Sequence, residues 1–82
     1  MRPIERQWWI LKQLPRAPRV VDVAAIERAL RREGVRVSRR TIERDLIMLS
    51  GIFQIVCDDA HKPFGWAWAR DGRRTGWPGN KS

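Results

Sequence analysis

The sequence has one cysteine and one histidine in 82 residues. A lone Cys57 cannot close an internal disulfide, so a reducing compartment, the cytoplasm, is expected. Cys57 and His61 stand four apart beside Asp58 and Asp59. A four-ligand zinc site would need both aspartates or a second protomer, so no metal is expected. The parts of an active site are also lacking. His61 has no nucleophile beside it, and there is no glycine-rich phosphate loop, no HExxH spacing and no paired buried carboxylates. Neither catalysis nor a cofactor is expected. No apolar run approaches 18 residues, so no segment is expected to span a membrane. The apolar stretch Trp8–Leu11 is too short for the core of a signal peptide.

Acidic residues are also scarce, at 9 against 17 basic ones, for a net charge of +8. A polyanionic partner is the first inference. Lysine is scarce within that excess, with 14 arginines and 3 lysines. Arginine forks onto phosphate and guanine, which suits nucleic acid. A GC-rich genome would give the same bias. Residues 51–69 are net acidic by one, so the excess lies in the helical half and beyond Arg70. A chain this short makes one domain and buries only about 63% of its unfolded surface.

The 43% hydrophobic residues are patterned. Ile4, Trp8, Leu11 and Leu14 recur at helical spacing, predicting a first helix over 4–14 behind Pro3. Trp8 is expected in the core. Pro15-Arg16-Ala17-Pro18-Arg19 reads as a short basic connector. Asp22 is an N-cap for a second helix over 23–33, with Val23, Ile26 and Leu30 as its stripe and Gly34 as its stop. Ser38 caps a third helix over 39–49, whose stripe is Ile42, Leu46 and Leu49. Ile47 and Met48 fall off that stripe. The β-rich run 52–57 and the alternating run 65–70 predict an antiparallel hairpin with a turn between. Residues 1–72 are expected to form the domain, and 73–82 a flexible basic tail anchored only by Trp77.

Three helices and a hairpin make a mainly α protein with a small β element (α+β), the order of a winged helix-turn-helix. The third helix opens with Ser38-Arg39-Arg40-Thr41, and Arg44 continues the same face. A helix fits the B-DNA major groove, and residues near its N-terminus reach base edges. Double-stranded DNA is therefore the expected partner. Arg16, Arg19 and Arg36 in the connectors, and Arg73 and Arg74 in the tail, are candidate phosphate contacts. The alternative is a solvated face, with Glu43 and Asp45 pairing to the arginines.

The stretch Val35–Leu49, VRVSRRTIERDLIML, resembles the recognition-helix signature of DeoR-like winged helices, above all those that open bacterial WYL-domain transcriptional regulators. The matching residues are Val37-Ser38, Arg39-Arg40, Thr41-Ile42, Arg44-Asp45-Leu46 and Leu49. The likeness covers about residues 4–70, and Gly65-Trp66-Ala67-Trp68 is similar to the second wing strand. The resemblance implies a sequence-specific transcriptional regulator of repressor type, with Arg39, Arg40, Thr41 and Arg44 in the major groove. It also implies a structural role for Asp45, paired with an arginine or an amide. This chain departs from the family in two ways. It stops before a WYL domain, so no small-molecule effector domain is expected in it. Its wing tip carries Asp58-Asp59, which phosphates would repel.

A single winged helix has a short footprint, so a homodimer on an inverted repeat is expected. Trp66 and Trp68 share one face of a strand and are expected first of all to cover the underside of the domain with their rings; with Trp77 and the first helix they are also candidate interface residues. Two rival readings stay open. One is a winged-helix module docking an acidic protein, and the other is an RNA or single-strand binder using Trp66 and Trp68 as a stacking platform.

Overall fold

Asp22 and Ser38 do what their side chains predict. The Asp22 carboxylate accepts the Ala25 amide at 2.8 Å and opens α2 (Val23–Arg32). The Ser38 hydroxyl oxygen accepts the Thr41 amide at 3.2 Å and opens α3 (Arg39–Ser50). Each bond satisfies an amide that has no partner inside its helix. The structure, a computed structural model, describes residues 2–60 and 62–70. His61, Arg73, Arg74, Trp77 and the expected boundary at residue 72 lie outside the described residues.

Gly34 ends α2 with φ +80, a left-handed conformation that a side chain resists. Its amide donates to Arg31 O and the Val35 amide to Leu30 O, both at 2.9 Å. These two bonds make a complete Schellman motif. Val35 is thereby turned back over Leu30, and both are buried. The next three residues lead straight to the Ser38 cap.

Helix α1 (Pro3–Lys12) is shorter than its apolar pattern predicts and turned the other way. Ile10 is fully buried and Leu14, just past the helix, is nearly so, whereas Ile4 is 71% exposed and Trp8 55%. The expectation that Trp8 sits in the core is therefore wrong. Four consecutive apolar residues, Trp8 to Leu11, leave the periodicity unable to choose a face. The choice is made by Arg6, one turn before Ile10. It donates from Nε to Asp45 Oδ2 (2.5 Å) and from Nη2 to Asp45 Oδ1 (3.1 Å), which ties α1 to α3.

Strand β1 (Ile55–Asp58) pairs antiparallel with β2 (Gly65–Trp68), with Ile55 opposite Trp68 and Asp58 opposite Gly65. The predicted first strand starts three residues too early. Ile52 and Phe53 instead donate their amides to Leu49 O at 2.9 and 2.8 Å and close the end of α3. High β propensity yields here to the unpaired carbonyls of a helix C-terminus.

The 15–21 connector is more than a linker. Trp68 N donates to Pro15 O (2.8 Å), and Ala17 N donates to Trp68 O (2.9 Å). Val21 and Trp66 exchange both amide bonds, at 3.1 and 2.7 Å. Strand β2 is thus held on both edges. Gly65 is required where this segment crosses, because a Cβ there would lie 2.5 Å from Val20 Cγ2. Ile10, Ile26, Leu30, Ile42, Leu46 and Ile55 fill the centre, one or more from every element except β2, which adds Trp66. Three helices followed by this hairpin give a winged-helix layout. No helix among the described residues is long and apolar enough to cross a membrane.

Candidate nucleic-acid interface

Helix α3 is fixed by one side and offers the other. Ile42, Asp45, Leu46 and Leu49 are buried against α1, α2 and the hairpin. At 100° per residue, Arg40, Arg44 and Ile47 then point directly away from the core, flanked by Glu43 on one side and Met48 on the other. All five are exposed. Among the described residues, Arg40, Arg44 and Glu43 form no ion pair. The alternative in which Glu43 and Asp45 neutralise the helix arginines is not what is seen, since Asp45 faces inward to Arg6.

Arg39 is placed differently from its neighbours. Its Nε donates to Glu27 Oε1 on α2 at 2.7 Å, and Glu27 Oε2 also accepts from Arg31 at 3.1 Å. The hydrogen bond from Arg39 is the main reason the Glu27 carboxyl titrates below its ordinary range, with the charges of Arg39, Arg31 and Arg28 adding to it. The pair spans the turn between α2 and α3, so Arg39 holds the angle of the two helices. Ser38 and Thr41 are likewise occupied. The Ser38 hydroxyl donates to Thr41 Oγ1 at 3.0 Å while accepting the Thr41 amide. Of the five residues expected on the recognition face, Arg40 and Arg44 have no ion-pair partner among the described residues, whereas Ser38, Arg39 and Thr41 shape the helix start. Sequence spacing could not show this. Glu27 lies 12 residues before Arg39, across a turn whose geometry no local pattern encodes.

The connector arginines are exposed. Arg36 lines a shallow cleft of about 250 Å³ with Ser38 and Glu27, beside the start of α3. Arg16 donates a long bond, 3.5 Å, to Arg70 O. Arg19 has no ion pair among the described residues.

Of the two hairpin tryptophans, Trp66 belongs to the core and Trp68 packs partly buried against it. Trp66 is 5% exposed and packs in the central cluster. Trp68 is half-buried, donates its indole N–H to Leu11 O at 3.4 Å and meets Phe53 edge to face at 6.0 Å. Ala67 and Ala69, on the side of β2 opposite Trp66, are also buried, so both faces of the strand are covered, and only Trp68 keeps part of its ring exposed.

The wing tip is acidic as written, with Asp58 accepting the Ala60 amide at 3.1 Å. Burial, then the charges of Asp59, Asp58 and Glu43, push the Cys57 thiol up, so it stays protonated at neutral pH. Glu43 lines a cleft with Lys62, Pro63 and Phe64, on the side of α3 nearest the wing. No group of three or more His, Cys, Asp or Glu among the described residues could hold a metal.

Compared with known proteins, the chain matches no family model, no curated protein and no solved structure.

Proposed function

We propose that this chain is a sequence-specific double-stranded DNA-binding protein, a transcriptional regulator of repressor type acting on the nucleoid in the cytoplasm. The observation that carries the reading is the outward face of α3. Arg40 and Arg44 stand one turn apart there, exposed and unpaired among the described residues, on a helix locked from behind. That is the geometry of side chains that fork onto guanine in the major groove. The likeness of Val37–Leu49 to the recognition helix of DeoR-like, WYL-associated regulators supports the same reading. Arg19 and Arg36 are assigned to phosphates. Arg39 is assigned to positioning, because its guanidinium is engaged with Glu27.

The regulator is proposed to act as a homodimer through α1. Ile4 and Trp8 face solvent one turn apart, Glu5 lies in the first turn and Lys12 in the last. A second copy packed antiparallel sets Glu5 against the partner's Lys12 twice over, around an apolar centre.

Fluorescence anisotropy on a duplex selected from random sequence tests the DNA reading. Arg40→Ala and Arg44→Ala are each expected to weaken binding by about 1–3 kcal/mol and to relax base preference. Affinity should fall by about 0.9 log units per log unit of salt for each phosphate neutralised. Wild-type affinity in both variants, or failure to select any duplex, overturns the proposal.

A further inference from the structure

The outward face of α3 contains one residue that neither the fold nor phosphate attraction explains. Ile47 is 60% exposed and lies outside the buried core. It follows Arg40 by seven residues and Arg44 by three, so all three share one stripe. An isolated exposed aliphatic is unremarkable on a surface. This one stands in line with two unpaired arginines, where a solvated face would carry a charge.

Seven residues of α-helix rise about 10.5 Å, which is about three base-pair steps of duplex. A helix lying along the major groove therefore sets Arg40, Arg44 and Ile47 against three or four successive base pairs. An aliphatic side chain can make one distinguishing contact there. It packs on the 5-methyl group of thymine, a group the other bases lack.

We infer that Ile47 is a specificity-determining residue that reads a thymine methyl within a few base pairs of the guanines addressed by Arg40 and Arg44. The inference rests on the DNA-binding reading above and adds a ligand feature to it. The groove offers the methyl to a nonpolar surface without any hydrogen bond to satisfy, so no other group on α3 need change for the contact to form.

The test is a duplex selected from random sequence, remade with each thymine in turn replaced by deoxyuridine, which removes only the methyl. One such replacement is expected to weaken binding of the wild-type chain about fourfold, the worth of one buried methyl-sized group. Ile47→Ala should bind the thymine and deoxyuridine duplexes alike, with unchanged helix content by circular dichroism. Ile47→Val should retain a reduced preference. A selected sequence without thymine, equal binding of both duplexes by the wild-type chain, or a preference that survives in Ile47→Ala overturns the assignment to Ile47 and leaves DNA binding standing. If no duplex is bound at all, the proposed function fails with it, and an exposed Ile47 points instead to a protein partner.

Discussion

Asp45 is a charge taken into the interior, and Arg6 makes that tolerable. The guanidinium reaches both carboxylate oxygens, and the hydrogen bond to Asp45 in turn raises the arginine's own pKa. Removing Arg6 strands the buried Asp45 carboxylate, whereas Arg6, 21% exposed, keeps access to water when Asp45 is removed. Arg6→Ala is expected to cost about 3 kcal/mol in urea denaturation, Asp45→Ala less, and Arg6→Met with Asp45→Leu together much less than Arg6→Ala. A loss in the double variant equal to the sum of the two single losses would show that the pair is not coupled. Glu27 gives a pH signature at the same scale. Its folded pKa lies below the ordinary 4.5, so its contribution is present above that value and is lost as pH falls through the lower folded one. Glu27→Gln should flatten the acid limb of the stability profile below about pH 4.5 and leave stability at pH 7 to 8 with the same slope as wild type.

At the scale of elements, ends are easier to read than faces. Ser38→Ala is expected to destabilise α3 by about 1 kcal/mol. Gly34→Ala should cost about as much although nothing lies within 4 Å of the added methyl, because the penalty is in the backbone. Thermal unfolding followed by circular dichroism measures both, and an unchanged midpoint for Gly34→Ala would refute the left-handed conformation. Asp22, Gly34 and Ser38 announce their helices because caps are local chemistry. The stripe Ile42-Leu46-Leu49 is equally plain, because charges occupy the rest of α3. The burial side of α1 was not legible, since it depends on an ion pair formed 39 residues away. The pairing of 15–21 was hidden by two prolines that read as loop, although proline is compatible with a sheet edge. The second covered face of the tryptophan strand was hidden for a related reason. Alternation predicts one covered face, and β2 has two.

Across the described residues, α3, the wing tip and α1 present different surfaces. The outward side of α3 carries unpaired arginine, the wing tip carries Asp58 and Asp59, and α1 carries Ile4 and Trp8 with Lys12 over both neighbouring indoles at 4.2 and 4.7 Å. The proposed DNA surface and the proposed self-association surface can therefore be disabled separately. Sedimentation of Trp8→Glu is expected to show a monomer, with wild-type helix content and weakened binding to an inverted repeat but unchanged binding to a half-site. A monomeric wild-type chain, with and without DNA, would remove the dimer. The candidate site was legible in part. Arg40 and Arg44 follow from the stripe, but the diversion of Arg39 to Glu27 depends on how two helices meet.

The double pairing of β2 also has a consequence in time. The ribosome makes the connector more than forty residues before the strand it pairs with, so Val21 and Ala17 emerge with no partner for their amides. Helices α2 and α3 can form on the way out, but the sheet has to wait for Trp66 and Trp68. Those two residues pair with β1 on one edge and with the connector on the other, so neither pairing can form until they are made.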